Sequence, residues 1–476
     1  MSWRALLLAC ALYGCGQRAR TVEQSDGSRS VRGCSYTAEV VQARPLALEV
    51  SARCTGRNLT GFSAADEASR PFIRVLGSSA LFSAHTWLFA APQGEARIRY
   101  RVDLDGMAAR AERFDSAQRF GESLVAPASS YLLAPEPLEV GVPIDLTLKL
   151  PPGVDFATGL TPIGAPSERR FALQAHEMSV ATYSVFGRFK RGAVKLAGAD
   201  VQIVTANGAL DLPTAAVQRW VGHAARAVAD FYGHFPAPNT LVLLLPVPER
   251  EGVVFGKVLP QSSPGIALLL GQHAREPALY QDWILVHELF HIGFPSFYNE
   301  AKWLDEGSAT YFEPLIRART GDLTELEVWT QFAHDMPRGL HAIEHEGLEH
   351  PSDFRAVYWG GAIACLLADV AGRRASHGAL GLQDAFRAVL AAGGNASRVW
   401  SLAQVTAIID RTLGAPILQD LIARHALTGS PVNLPQLFTQ LGVSQSPNGS
   451  VTLDDHAELA AIRHAITYGT RQGEGD

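Results

Sequence analysis

The chain has 476 residues, 47% of them hydrophobic, and a formal net charge of −6. That is ample apolar material for more than one core, and without a basic surplus a nucleic-acid partner is excluded as the basis of function. Beyond the N-terminus no apolar run reaches about eighteen residues, so the body is not expected to cross a bilayer.

Met1 to Gly14 carries one early positive charge, Arg4, and the apolar run Ala5 to Tyr13. The run is too short to span a membrane and has the shape of a secretory signal. Leu12-Tyr13-Gly14-Cys15 resembles a bacterial lipoprotein cleavage box, in which Cys15 becomes the lipidated first residue of the mature protein; Cys10 has less apolar run ahead of it. The other reading is a plain signal peptide with an incidental cysteine. Residues 1–15 are therefore read as signal peptide and lipobox and 16–33 as a polar tether. The expected location is outside the cytoplasm, on the periplasmic or cell-surface side, with the lipid anchor at Cys15 as the sole membrane contact. Cys34 and Cys54 are the plausible disulfide in an oxidising compartment. Cys365, inside an apolar helical stretch, reads as a buried thiol.

From residue 34 to 195 short alternating or apolar runs recur between Pro, Gly and Ser clusters: Thr37 to Gln42, Leu46 to Ala52, Phe72 to Val75, Ala96 to Val102, Ile144 to Leu150 and Ser179 to Arg188. This spacing predicts an antiparallel, sandwich-like β-domain. No residue cluster in it suggests chemistry, and support, substrate positioning or partner binding are its expected roles.

From Asp200 the pattern changes. Residues 196–328 are read as one domain, which holds the motifs described next, and 329–476 as an α-helical domain, which makes the chain an α+β multidomain protein. Val201 to Thr205 predicts a strand, Pro213 to Tyr232 an amphipathic helix, Leu241 to Val247 a buried strand and, past a Gly-rich loop, Gly265 to Gly271 a further short strand. That last strand is the expected exposed edge for pairing with an extended peptide.

Trp283 to Ile292 predicts a helix carrying His287-Glu288-Leu289-Phe290-His291. Imidazoles one turn apart leave the same face. The apolar residues around them predict burial, so the polar side chains must find partners. One zinc ion per chain, bound by His287, His291 and Glu306, supplies them, and three protein ligands leave the fourth position open to water as a catalytic zinc requires. Glu288 is then placed to take that water's proton. Glu300 and Glu313 compete as third ligand. Glu306 is preferred because Trp303, Leu304, Ala309 and Phe312 turn it inward on a new helix, where Gly307 is expected to pack closely on the metal helix. Thr310, one turn on, is a candidate partner for a ligand.

Trp303-Leu304-Asp305-Glu306-Gly307-Ser308-Ala309-Thr310-Tyr311-Phe312 is similar to the segment that carries the glutamate ligand in the gluzincin peptidases, the clan of thermolysin and aminopeptidase N. Within that clan the chain looks most like the glycyl aminopeptidases. Tyr358-Trp359-Gly360-Gly361 is followed by Asp369 and Arg373 at that family's intervals, so the resemblance implies a thermolysin-like zincin fold and gives Tyr358 the family's catalytic tyrosine role. There are three departures. Fourteen residues separate His291 from Glu306, fewer than in those relatives. Gly360 stands where the family has lysine. Gly265 to Gly271 lacks the glutamate with which aminopeptidases hold a free α-amine, and Glu249, Glu251 and Glu276 are stand-ins that spacing does not choose between.

The stretch His341, Glu344, His345, Glu346, Glu349, His350 reads as a solvated loop bordering the cleft rather than a second metal site. Helical periodicity follows over Ala362 to Val370, Leu380 to Leu390, Leu402 to Leu413 and Ile417 to Leu427, with a small helical cap at Pro431 to Val443. The expected chemistry is zinc-dependent peptide hydrolysis, as aminopeptidase or endopeptidase, with Glu288 as general base and Tyr358 donating a hydrogen bond to the oxyanion. The alternatives are a catalytically silent zinc-binding surface lipoprotein that binds a partner through its β-domain, and hydrolysis of a non-peptide bond.

Overall fold

The computed structural model describes residues 30–469 apart from 78–80, 84–85, 89–93, 112–114, 181–182, 261–262 and 298–299. The expected signal 1–15, Cys15 and most of the tether lie outside the described residues. Among those described, no helix is long and apolar enough to cross a membrane.

Val31–Ala43 and Leu46–Gly56 alternate buried and exposed side chains. A period of two places Tyr36, Ala38 and Val40 on the same face as Leu48, Val50 and Ala52, and that face is core. The two strands pair antiparallel, and Cys34 stands opposite Cys54, to which it is disulfide-bonded. They form the middle of a seven-stranded sheet. One pairing departs from the antiparallel expectation: Val31–Ala43 runs parallel to Pro143–Lys149. Two parallel strands need a long crossover, and the chain between them supplies strands of two smaller four-stranded sheets. Buried tyrosines bind these layers together. Tyr36 donates to the Leu133 carbonyl at 2.6 Å and Tyr100 to that of Tyr131 at 3.0 Å, while the Tyr131 and Ser184 hydroxyls pair at 2.8 Å.

The next sheet has five strands in the order Phe189–Leu196, Ala199–Ala206, Asn239–Val247, Gly265–Gly271, Val253–Leu259. It begins at Phe189, ahead of the break expected at residue 195. Thr214–Tyr232 covers one face with Val217, Trp220, Val221, Ala224, Val228 and Phe231, and ends at Gly233, whose φ of 90° suits a helix terminator. The other face buries Leu241, Leu243, Leu245 and Leu269 against Phe120, Val125, Tyr183 and Val185 of the preceding β-domain. Burial on both faces accounts for the unbroken apolar run of Leu241 to Val247.

Two strand assignments change. The segment read as a Gly-rich loop contains the strand Val253–Leu259, and this strand is the sheet edge. Gly265–Gly271, expected at the edge, is interior, parallel to Asn239–Val247 and antiparallel to Val253–Leu259. Its seven residues are all buried, which an exposed edge would not tolerate.

Helices make up most of the remainder. The break expected at residue 328 falls inside the helix Glu325–Asp335, and one hydrophobic cluster runs from Val194 to Ile466 across it. A Cβ on Gly307 would lie 2.4 Å from the Gly361 backbone, so this glycine admits the helix Phe354–Ala375 rather than the metal helix as expected. Two turns further along that helix Asp369 accepts from Tyr311 and Arg373, each at 2.9 Å, in a fully buried knot. The helix Ala460–Tyr468 is held by two arginines, Arg319, which is half-buried, and Arg463, which is buried. Arg319 donates to the carbonyls of Ile466 and Thr467, and Arg463 to those of Leu441 and Asp454, all at 2.9 Å.

Candidate metal centre

The helix Ile284–His291 is apolar apart from His287, Glu288 and His291, and Ile284, Leu285, Val286, Leu289 and Phe290 are buried. Such a helix belongs to the core. Tyr232 donates to the Phe290 carbonyl at 3.0 Å, and the Phe290 ring packs on Phe231, Phe312 and Phe386. His287 and His291 are 3% and 6% exposed, so the core presents two imidazoles to one spot. The helix Lys302–Arg319 brings Glu306, 8% exposed, to the same spot.

The three donors converge. The Nε2 atoms of His287 and His291 are 3.3 Å apart, and Oε2 of Glu306 lies 3.2 Å from the first and 3.5 Å from the second. A tetrahedral ion with bonds of about 2.1 Å holds its donors about 3.4 Å apart, so the set fits zinc. It is the one His, Cys, Asp and Glu cluster of metal-binding geometry among the described residues. Glu300 instead accepts from the Leu402 backbone N–H at 2.9 Å, and Glu313 pairs with Arg317 at 2.8 Å.

Groups around the ligands set their state. Asp305 lies 2.9 Å from Nδ1 of His291 and holds that nitrogen as the protonated one, which leaves Nε2 to face the cluster. Burial disfavours a charged His291, but Asp305 and then Glu306 outweigh it and keep its pKa well above the usual range. Burial likewise opposes ionised Glu306. Lys302, 2.7 Å away, and the two histidines overcome this and hold its carboxyl well below the usual carboxylate range. Thr310 does not touch a ligand side chain; its hydroxyl donates to the Glu306 backbone carbonyl at 2.8 Å.

Glu288 is partly exposed, on the side of the helix that meets the edge strand. A Cβ on Gly256 would lie 2.4 Å from Ile284 and 2.8 Å from Glu288, so only glycine lets the strand come this close. Burial raises the Glu288 carboxyl pKa, partly offset by His287, His291 and a hydrogen bond from the Val258 backbone. Tyr358 lies over His287 with ring centroids 6.1 Å apart and planes 25° apart. Its helix is seated by Gly360 and Gly361: a Cβ on Gly360 would lie 2.7 Å from Leu348 and one on Gly361 1.9 Å from the Trp303 carbonyl.

All five residues singled out from the sequence, His287, Glu288, His291, Glu306 and Tyr358, therefore meet at one place. Sequence reasoning missed Asp305 and Lys302, although both flank Glu306 on its own helix. It also misread Glu349. This carboxylate accepts from the Trp303 indole at 2.8 Å and from the Ala301 backbone N–H at 2.9 Å, bracing the entry to the Glu306 helix.

No family model matches the chain, and no curated protein matches its sequence. Solved structures do. An aminopeptidase N family protein from Idiomarina loihiensis is 17% identical over 89% of this chain and 80% of its own, with a TM-score of 0.67. A two-domain M1 zinc metallopeptidase bound to L-tryptophan is 16% identical over 86% of this chain and 98% of its own, with a TM-score of 0.53. A mutant M1 zinc metallopeptidase from Deinococcus radiodurans bound to a Tyr-Ser-Ala substrate is 17% identical, covers 86% and 98%, and scores 0.52. The likeness is one of fold: the chain shares the fold of these aminopeptidase N family and M1 zinc metallopeptidase structures.

Proposed function

From that fold and the site it carries, we propose that the protein is a zinc-dependent peptidase that hydrolyses peptide bonds. The observation behind this reading is the buried convergence of His287, His291 and Glu306 with Glu288 and Tyr358 beside them. Zinc held by the three side chains supplies, when bound, positive charge that acidifies water and polarises a carbonyl oxygen. Glu288 accepts the proton of the attacking water and passes it to the departing amine nitrogen. Tyr358 donates a hydrogen bond to the oxygen that gains charge as the carbonyl is attacked. Asp305 fixes the orientation of the His291 ring.

Export goes with this reading and is supported by the Cys34–Cys54 disulfide, a bond that persists outside reducing compartments; a lipid anchor at Cys15 is proposed from the sequence Leu12-Tyr13-Gly14-Cys15. The partner is then a peptide or protein substrate.

The test is metal analysis of the purified protein together with turnover of free-amino and N-blocked peptides. Zinc at one per chain is expected. Glu288→Gln should keep the metal and lose about 10³-fold in rate. Full activity in that variant sinks the general-base role, and an absence of zinc affinity sinks the reading as a whole.

A further inference from the structure

Trp283 is 47% exposed, an unusual state for a tryptophan, and it stands one helical turn before His287 on the same face. The two rings are 5.2 Å apart and cross at 87°, so the indole forms a wall beside the metal cluster. Against the metal helix runs the strand Val253–Leu259, whose outer edge pairs with no other described strand. Val253 and Val258 pack half-buried against the core that contains the metal helix, and the strand's one charge, Lys257, is bound by Asp115 at 2.7 Å. The surfaces offered to a substrate here are therefore apolar side chains and main chain.

A free α-ammonium group brought into such a cleft needs a carboxylate partner. Apart from Glu288, the carboxylates flanking the donor cluster are engaged. Asp305 and Glu306 serve the histidines and Lys302, Asp282 accepts from the Ile284 backbone N–H at 2.8 Å, Glu313 pairs with Arg317, and Glu349 braces Ala301 and Trp303. Of the stand-ins suggested by sequence, Glu276 is bound by Arg219 at 2.7 Å and Glu249 lies 3.8 Å from His273. Glu251 precedes the strand, five residues before Gly256.

Resting on the peptidase reading above, we propose that the cleft selects internal stretches of peptide by a bulky apolar side chain laid against Trp283, without requiring a free α-amine. The test uses the zinc-loaded full chain and matched peptides, each with a free or an acetylated N-terminus. They carry Phe or Leu, or else Gly or Ser, on either side of the cleaved bond. Acetylated peptides with Phe or Leu should be cleaved at least as well as their free-amino counterparts. Trp283→Ala should lower kcat/KM for these about tenfold through KM, spare the Gly and Ser series, and leave zinc content and Tm unchanged. Trp283→Phe should restore most of the loss. A requirement for the free amine overturns the proposal while leaving the peptidase reading in place, and so does an equal loss on both series in Trp283→Ala. Turnover of no peptide by the zinc-loaded wild type overturns both.

Discussion

At the scale of single residues, the site shows what burial does to charge. Glu313, two turns beyond Glu306, is 2% exposed, and burial pushes its carboxyl up to about 7 despite Arg317 at 2.8 Å. Because the folded pKa lies above the unfolded one, the native state binds the extra proton. The stabilisation is complete below about pH 4.5 and is lost as pH rises through 7. Stability of the wild type should therefore fall between about pH 5 and 8, by on the order of 3 kcal/mol from this group. Urea denaturation across that range should show Glu313→Gln with a shallower dependence; an unchanged slope would assign the effect elsewhere. Tyr358 makes a different prediction. Its ring lies over His287, so Tyr358→Phe should keep zinc and KM and lower kcat about 10²-fold, read by steady-state kinetics with metal analysis.

Among the elements, the Lys302–Arg319 helix depends on how it is started. Ala301 has a φ of 54°, a left-handed conformation that costs a non-glycine residue about 1 kcal/mol or more. Glu349 offsets this by accepting from the Ala301 N–H and the Trp303 indole. Glu349→Ala should cost about 2 kcal/mol and weaken zinc binding, because Asp305 and Glu306 follow within one turn. Chemical unfolding and a competitive zinc titration measure both, and undiminished zinc affinity would separate the brace from the ligand. The edge strand holds another lesson about elements. Val253 to Leu259 has the apolar residues of a strand, but Gly252, Gly256 and the residues around them read as loop in sequence. Only the position beside Ile284 and Glu288 explains why Gly256 is needed.

For the whole molecule, the three converging donor side chains come from two core helices inside a cluster that extends from Val194 to Ile466. A ligand that binds only the folded state stabilises it by mass action, by about 4 kcal/mol at a thousandfold excess over Kd. Chelation should thus lower the Tm of the intact chain, and added zinc should restore it. A Tm indifferent to both would show that the cluster does not hold the ion. The β-domain packs on the far face of the five-stranded sheet in a separate cluster, and Lys257 on the edge strand meets Asp115 of that domain. The domain therefore supports the strand that borders the cleft.

The three side chains that converge, the helix that bears His287, Glu288 and His291, and the disulfide were all legible in the sequence. Each depends on local periodicity or on a motif whose chemistry restricts residue choice: His287 and His291 must be a turn apart, and Glu306 lies in a segment with its own apolar pattern. The order of strands, the parallel pairing of Val31–Ala43 with Pro143–Lys149, the edge position of Val253–Leu259 and the partner of Gly307 were decided by the tertiary structure alone. These are contacts between residues far apart in the chain, and side-chain periodicity shows which face of an element is buried without showing what it is buried against.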